Sequence, residues 1–358
     1  MAGTRRNLQL REEDPLREDY FLPDCRVPVL GAGTDGFVVR AVSLRSGYSD
    51  ALKFVRGDPS DCKREIQALQ AIGRHSHVVE LLKVYAPCGS RTSPVLAFPE
   101  LHGTLADFAR RGRRNGFLRY PLAGELAQQC LEGLAHVHQC CVVHRDLSPS
   151  NILVDMGPCA NTGRTQLTVK IADFSRARVL PVEEASEHTG MEQRQGLETH
   201  AMTTGLGTLR YEAPELLFRS GKAKYGVGVD VWAFGAIWFE VLSNTAFMPG
   251  FSAAERMAAL TCRLGECPTE LCAAKQHVVA LEEKVMPLST YMIPGQKGWE
   301  VLAAALQWNP SLRPSAAALA QKPWMEDGVT NDGPPAQATP QRVPLSQSPV
   351  QCPQRGQC

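Results

Sequence analysis

A glycine-rich segment followed by a strand-like run narrows the folds open to this chain. Gly31, Gly33 and Gly36 form the pattern Gly-x-Gly-x-x-Gly. Glycines let a backbone approach phosphate groups without a side-chain clash. Dinucleotide-binding folds share this pattern but open a helix with it, whereas Phe37-Val38-Val39-Arg40-Ala41-Val42 continues here as a predicted strand. The segment therefore predicts a glycine-rich β-turn over the phosphates of a nucleotide.

A lysine lies on the next apolar strand, in Ala51-Leu52-Lys53-Phe54-Val55. At this position Lys53 is expected to contact nucleotide phosphates, and it needs a carboxylate to hold it in place. Glu65, on a helix predicted from Asp61 to Ile72, is the matching candidate. The alternative is that Lys53 is a lysine at a strand edge whose ammonium reaches solvent.

The most informative string is His144-Arg145-Asp146-Leu147-Ser148-Pro149-Ser150-Asn151. Phosphoryl transfer to a hydroxyl needs a carboxylate to orient the hydroxyl and accept its proton, which is the role predicted for Asp146. Asn151 offers an amide oxygen that helps to hold Mg²⁺. A strand-like run, Val169-Lys170-Ile171, leads to Asp173, and a carboxylate at a strand end is suited to chelate the same metal.

Short β-like runs occupy residues 21–84 with one helix among them, and helical periodicity takes over after Gly103. This order predicts an α+β fold with a small β-rich lobe and a larger helical lobe. Residues 1–20 lack periodicity and are predicted to form a flexible arm. The tail at 326–358 is rich in Pro, Gln and Ser, and is predicted to be disordered.

The bulk composition excludes several classes of function. The net charge is +1 over 358 residues, so no general field favours nucleic acid or an anionic membrane. The most apolar stretch, Val227 to Leu242, is interrupted by Asp230 and Glu240 and is predicted to be a core helix. The N-terminus lacks the apolar region of a signal peptide, and the 12 cysteines form no Cys-x-x-Cys pair. Reduced thiols and a cytoplasmic or nuclear location are expected.

Further motifs follow in a fixed order along residues 21–325. They are Ala213-Pro214-Glu215, Asp230-x-Trp232-x-x-Gly235, and Arg313 within Asn309-Pro310-Ser311-Leu312-Arg313-Pro314. Together with the preceding motifs, they resemble the eukaryotic protein kinase set. The resemblance implies a bilobal kinase domain with an N-lobe at about 21–101 and a C-lobe at about 102–325. It also implies an ion pair between Glu215 and Arg313, and that Asp230 braces the catalytic loop from a buried helix.

The same resemblance implies a protein kinase that uses ATP and Mg²⁺. It assigns catalytic roles to Asp146, Lys53, Glu65 and Asn151, and metal binding to Asn151 and Asp173. Nucleotide contacts fall to Leu30, Gly31, Gly33, Gly36, Val38, Ala51, Lys53, Pro99, Leu101 and Leu153. Thr208 matches the residue typical of serine/threonine kinases, so protein Ser/Thr hydroxyls are the implied acceptors.

Within the kinases, the chain resembles the cyclin-dependent kinase (CMGC) branch. Pro59-Ser60-Asp61-Cys62-Lys63-Arg64-Glu65 lies where that branch carries its cyclin-docking helix, which implies a cyclin-like activator. Thr203 lies at the position of the phosphothreonine that activates members of that branch, which implies an upstream kinase that phosphorylates it. Three departures from that pattern are found. Asp35 replaces the inhibitory tyrosine, and Asp61, Cys62 and Lys63 replace Thr-Ala-Ile, which makes the docking helix more polar. Glu212 replaces the arginine that shapes the site next to the acceptor in proline-directed relatives.

Two substitutions support a different class of function, a pseudokinase acting as an ATP-binding or inert scaffold. Ser148 stands where Ser/Thr kinases carry a lysine that neutralises the γ-phosphate, and Ser175 replaces the glycine of Asp-Phe-Gly. Loss of the lysine is expected to lower the rate on the order of 10²-fold. Small-molecule phosphotransferases share the Asp-x-x-x-x-Asn loop but lack the Ala-Pro-Glu and Asp-x-Trp-x-x-Gly segments.

Overall fold

The computed structural model describes residues 5–6, 8, 10–22, 27–33, 36–56, 59–89, 91–115, 120–158, 165–180, 208–217, 226–268, 285–292 and 296–324. The polar segment from Leu180 to Ala201, which the sequence predicts to be a mobile activation loop, lies outside these residues apart from Leu180. Thr203 and the predicted disordered tail lie outside them too. The backbone of Thr208 is described.

The N-terminal part of the chain forms one curled antiparallel sheet with two helices. Its strands are β1 (Arg5–Arg6), β2 (Tyr20–Phe21), β3 (Val27–Gly33), β4 (Gly36–Ser43), β5 (Ser49–Val55), β6 (Lys83–Tyr85) and β7 (Val95–Pro99). They follow the order β1-β3-β4-β5-β7-β6, and β2 pairs with β4. The helices are α1 (Leu16–Asp19) and α2 (Pro59–Ile72).

The rest of the described chain is mostly helical. Its helices are α3 (Leu105–Asn115), α4 (Tyr120–Gln139), α5 (Pro214–Leu217), α6 (Gly228–Ser243), α7 (Ala253–Leu264), α8 (Gly298–Ala305) and α9 (Ala316–Ala320). Five short strands lie among them: β8 (Gly103–Thr104), β9 (Val142–Val143), β10 (Ile152–Pro158), β11 (Thr165–Ile171) and β12 (Arg178–Val179). β11-β10-β8 form one small sheet, and β12 pairs with β9. The predicted α+β bilobal fold is confirmed.

Helix α6 is the centre of the C-lobe. Every residue from Val229 to Phe239 is buried, because the helix is apolar on all sides. Gly235 lets α8 approach it closely, since a Cβ there would lie 2.8 Å from Cγ of Leu306. Among the described helices, none is both long and apolar enough to span a membrane.

The N-terminal segment is packed against the sheet, which corrects the prediction of a flexible arm for residues 10–20. Leu16 on α1 is fully buried, and it packs into a cluster with Tyr20 and Val39. The buried carboxylate of Asp14 pairs with Arg91 at 3.1 Å. A helix of one turn carries too few residues for periodicity to reveal it, so the polar composition of this segment was misleading.

The cysteines agree only in part with the expectation that their thiols are reduced. Free thiols are found at Cys62, Cys88, Cys130, Cys140, Cys141 and Cys262. Cys267 is disulfide-bonded, so the expectation of reduced thiols is wrong at that residue.

A buried ion pair joins two distant parts of the C-lobe, as the motifs imply. The guanidinium of Arg313 donates to both carboxylate oxygens of Glu215, at 2.6 and 2.8 Å. The Arg313 side chain is fully buried, and it also donates to the carbonyls of Gln307 and Gly228. The pair fixes the start of α5 to the loop before α9.

The Glu215→Gln variant is expected to lose about 3 kcal/mol of unfolding free energy, because it leaves the buried Arg313 charge without its carboxylate. Urea denaturation measures this loss. The matched control is Glu80→Gln, which breaks the exposed pair with Arg74 and is expected to change stability by less than about 1 kcal/mol. Equal losses of unfolding free energy in both variants would contradict the assignment of Glu215 and Arg313 as a stabilising buried ion pair.

Candidate active site

Three charged side chains from separate elements meet beneath the glycine-rich turn. Nζ of Lys53 on β5 donates to Glu65 on α2, at 2.9 and 2.7 Å from the two carboxylate oxygens. The same ammonium donates to Oδ1 of Asp173, after β11, at 2.8 Å. The predicted partnership of Lys53 and Glu65 is present in the structure, which does not support the reading of Lys53 as a solvent-facing edge residue.

The charges in this cluster stabilise one another. Burial acts to lower the pKa of Lys53, but the carboxylates of Glu65 and Asp173 outweigh it and raise that pKa above its ordinary value. Burial raises the pKa of Glu65, and attraction to Lys53 offsets this only in part. Desolvation also acts to raise the pKa of Asp173, but Lys53 outweighs it and holds that pKa at about 2. Asp173 is therefore ionised at neutral pH.

The residue after Asp173 is anchored in the core next to the catalytic loop. The Phe174 side chain is fully buried, and its ring lies 4.8 Å from the ring of His144. Ser175 is buried too, and it is not among the described non-glycine residues with positive φ. The serine in place of glycine therefore causes none of the backbone strain that a left-handed conformation would bring.

The catalytic loop is fixed by Asp230, a fully buried carboxylate on α6. It accepts hydrogen bonds from the backbone N–H groups of His144 and Arg145, both at 2.8 Å. Nε2 of His138 on α4 lies 3.0 Å from it. Burial acts to raise the pKa of Asp230, but the hydrogen bond from His138 and the nearby histidine charges lower it. The bracing role that the motifs imply is therefore supported by direct contacts.

These contacts hold unusual backbone conformations. Arg145 and Asp173 have φ angles of +67° and +63°, which are uncommon for residues with a side chain. The N–H of Arg145 is bonded to Asp230, and its Nε donates to the carbonyl of Arg176 at 2.6 Å. Strained backbone of this kind persists where the surroundings fix it, and it is common in active sites.

Asp146 and Asn151 lie on the same loop, as predicted. Nδ2 of Asn151 donates to the backbone carbonyl of Asp146 at 2.8 Å. Nε of Arg176, a residue that the sequence reasoning missed, lies 3.7 Å from Oδ2 of Asp146. A small cavity next to Asp146 is lined by Tyr211, Glu212 and Ala213, so the Glu212 substitution lies in the wall beside the acceptor site.

The residues predicted to contact the nucleotide come mainly from neighbouring strands of the N-lobe sheet. Gly31 pairs with Val38, and Val38 pairs with Lys53, so three adjacent strands place these residues in one row. Ala51 pairs with Phe98 on β7. Pro99 ends β7 and Leu101 follows it, whereas Leu153 comes from β10 on the opposite side. Leu30, in the middle of β3, is exposed.

The site fits a nucleotide triphosphate with a divalent cation. A Cβ on Gly31 or Gly33 would meet nothing within 4 Å, so the backbone there borders open space. The Asp173 side chain is 35% exposed although it is bonded to Lys53, so it can also bind a metal. Carboxylate and amide oxygens are the ligands that Mg²⁺ prefers. Lys53, Asp173 and Asn151 supply the charges and oxygens that such a complex needs.

Two alanine substitutions in the turn are expected to separate folding from nucleotide binding. Gly36 has φ +148°, and a Cβ there would lie 2.1 Å from the carbonyl oxygen of Phe54. Gly36→Ala is therefore expected to lower the melting temperature. Gly33→Ala, with open space around it, is expected to keep the melting temperature and weaken ATP binding. Differential scanning fluorimetry with and without Mg-ATP measures both effects. Equal melting temperatures and equal shifts with Mg-ATP in the two variants would contradict the difference in space around the two glycines.

Comparisons with known proteins agree with this geometry. The family model described as "Protein kinase domain" matches residues 26–325. "Cell division control protein 2 homolog 3" of Trypanosoma brucei brucei is 31% identical over 327 residues, which cover 87% of this chain and 94% of that protein. "Cell division control protein 2 homolog D" of Antirrhinum majus is 30% identical over 315 residues, covering 83% and 92%. "Cyclin-dependent kinase 20" of Danio rerio is 34% identical over 242 residues, covering 66% and 62%.

The chain belongs to the protein kinase family. Within that family it is similar to cell division control protein 2 homologues and cyclin-dependent kinases, which confirms the resemblance to that branch.

Proposed function

We propose that this protein is an ATP-dependent serine/threonine kinase that transfers the γ-phosphate of ATP to hydroxyl groups of proteins. The observation that carries the proposal is that the Lys53 ammonium donates hydrogen bonds to both Glu65 and Asp173. A buried lysine with two carboxylates, one of them open to the cleft, is the arrangement that phosphoryl transfer needs.

The proposed roles follow from the contacts. Lys53, held by Glu65, would bind the α- and β-phosphates of ATP, and Asp173 and Asn151 would hold Mg²⁺. When bound, Mg-ATP supplies the phosphoryl group, and the cation neutralises its charge. Asp146 orients the acceptor hydroxyl and takes its proton, while the hydroxyl oxygen bonds to phosphorus and the bond to the ADP oxygen breaks. The backbone groups of Pro99 and Leu101 are proposed to bind the adenine ring.

A transfer assay with labelled ATP tests this proposal. Wild-type protein with Mg-ATP is expected to label myelin basic protein, and acid hydrolysis of the product is expected to give phosphoserine and phosphothreonine. Phosphotyrosine as the main product would contradict the acceptor class that Thr208 indicates. No labelling, with the chain either alone or bound to a cyclin-like activator, would contradict the proposal that this protein is an enzyme.

A second candidate function is an ATP-binding scaffold, and Ser148 favours it. This residue lies on the catalytic loop, where its carbonyl accepts the N–H of Asn151 at 3.0 Å. It brings no positive charge to the site. Under this alternative, Mg-ATP raises the melting temperature, and neither wild type nor the Asp146→Asn variant transfers phosphate in the assay.

We also propose that α2 docks a cyclin-like activator. Ser60 and Lys63 on this helix are exposed, and Val179 on β12, a strand that α2 contacts, is exposed as well. The exposed polar face of α2 and the neighbouring Val179 side chain would form part of the docking surface. Affinity purification of the chain from cell extract is expected to recover a cyclin-fold protein, and the Val179→Glu variant is expected to lose it. Recovery without any cyclin-fold partner counts against the proposal.

A further inference from the structure

Arg176 brings a positive charge to the catalytic carboxylate. Its Nε lies 3.7 Å from Oδ2 of Asp146. Its side chain is 29% exposed and that of Asp146 12%, so the guanidinium lies at the open edge of the site rather than beneath it. The resemblance to other kinases assigns this residue no role.

The backbone around Arg176 is fixed on both sides. Phe174 and Ser175, which precede it, are buried. Its carbonyl accepts a hydrogen bond from Nε of Arg145, and the N–H of Ala177 donates to the carbonyl of Phe174 at 3.0 Å. A rigid turn therefore directs a long, flexible side chain toward Asp146.

The other cations near this point have different partners. Lys53 is bonded to Glu65 and Asp173. Arg145 donates to the carbonyls of Arg176 and Ala177. Ser148, at the position of the usual lysine, has no charge. Within the part of the chain that the structure describes, Arg176 is the cation whose ion pair is with the catalytic carboxylate itself.

We propose that Arg176 is a catalytic residue that replaces the missing lysine and neutralises the γ-phosphate during transfer; this inference rests on the proposed kinase function. The acceptor oxygen must lie about 2.6–3.2 Å from the Asp146 carboxylate, with phosphorus about 3–3.5 Å beyond it. A guanidinium that reaches the same carboxylate reaches that phosphoryl group too. It has five N–H donors, so a contact with one carboxylate oxygen leaves donors for phosphate oxygens.

If Arg176 instead inhibits Asp146, its removal is expected to change the transfer rate in the opposite direction. If the ion pair only masks Asp146, removal of Arg176 frees the base and raises the rate. If Arg176 stabilises the transferring phosphoryl group, its removal lowers the rate, and a lysine at position 148 restores it. The two roles are therefore distinguishable by substitution.

The first experiment compares Arg176→Gln, Arg176→Lys, Ser148→Lys and the Arg176→Gln/Ser148→Lys double variant in steady-state transfer assays. Arg176→Gln is expected to lower kcat on the order of 10²-fold, as for the loss of one electrostatic donor, with a smaller change in KM for ATP. Arg176→Lys keeps the charge and is expected to retain most of kcat. The double variant is expected to regain most of the loss, whereas Ser148→Lys alone gains much less.

The second experiment measures binding without turnover. Isothermal titration calorimetry compares Mg-ADP with Mg-ADP plus tetrafluoroaluminate, a mimic of the transferring phosphoryl group. Wild type is expected to bind the second mixture more tightly. Arg176→Gln is expected to lose most of that gain while binding Mg-ADP alone as wild type does. An unfolded variant would lose both affinities, so this pattern separates a catalytic role from a structural one.

The outcomes separate the two proposals. An active wild type with an equally active or faster Arg176→Gln variant overturns the role of Arg176 and leaves the kinase function standing. A double variant no faster than Arg176→Gln overturns the replacement of the lysine. A wild type with neither transfer nor a tetrafluoroaluminate gain overturns the kinase function and the role of Arg176 together.

Discussion

The Asp146→Asn variant is expected to lose phosphate transfer by about 10³-fold, within the range for removal of a positioned general base. Folding and Mg-ATP binding are expected to stay close to wild type. The contact that fixes Asn151 uses the backbone carbonyl of Asp146, and Asp230 braces the loop through backbone N–H groups of its neighbours. Substitution of the side chain therefore leaves the loop intact. Steady-state transfer and calorimetric ATP binding measure the two properties.

The matched control is Asp19→Asn, which removes a carboxylate that pairs with Lys83 and Tyr85 on the outer N-lobe. It is expected to keep the wild-type rate. If Asp146→Asn transfers phosphate as fast as this control, the carboxylate is not the base. If Asp146→Asn fails to bind Mg-ATP, its effect on the rate cannot be assigned to proton transfer.

The Lys53→Met variant is expected to lose both activity and stability. Its loss of the phosphate contact is expected to lower kcat/KM by at least about 10²-fold. It also leaves Glu65, whose side chain is 2% exposed, as a buried charge without its partner. Breaking such a pair costs about 3 kcal/mol or more. Transfer assays and urea denaturation measure the two losses.

A second substitution is expected to separate the two effects. Lys53→Met/Glu65→Leu replaces the buried pair with apolar side chains, which is often neutral for stability. The double variant is therefore expected to regain most of the unfolding free energy and none of the activity. Recovery of transfer in the double variant would show that Lys53 acts only through the fold.

The Lys53→Met variant is also expected to be more sensitive to pH. Burial already raises the pKa of Glu65, and loss of Lys53 raises it further. A carboxyl group whose pKa is higher in the folded state stabilises the fold at low pH, and this contribution is lost as pH rises through the folded pKa. The stability deficit against wild type is therefore expected to be smallest near about pH 5 and larger at pH 8. A deficit that does not vary with pH would contradict the burial of an unpaired Glu65.

Local patterns predicted the ladder of strands and the main helices because their apolar spacing is regular. The strand carrying Lys53 and helix α2 lie where the apolar spacing places them, and the core helix α6 coincides with the most apolar stretch of the chain. Motif order then placed Lys53, Glu65 and Asp173 in one site. The contacts among them depend on tertiary packing, but the chemistry of each residue was readable in advance.

Arg176 was not predictable in the same way. Its approach to Asp146 depends on the turn after Phe174 and on the pairing of β12 with β9, which brings two loops side by side. Neither feature leaves a periodic signal. The available hint was the chemical mismatch at Ser148, which shows that a charge is missing but not which residue supplies it.

The N-terminal segment shows a different limit. Its charged residues suggested an exposed arm, but Asp14 pairs with Arg91 across 77 positions of the chain. Charged side chains in long-range pairs are compatible with burial, and composition alone does not distinguish them from solvated ones.

The position of Asp230 has a consequence for genetics. This carboxylate lies on the central buried helix, yet it holds the backbone of the two residues before Asp146. A genetic screen for loss of activity would recover substitutions in α6 among its strongest hits, although that helix lies in the core rather than in the nucleotide cleft. Such alleles would be mistaken for folding mutants unless protein levels were measured alongside activity.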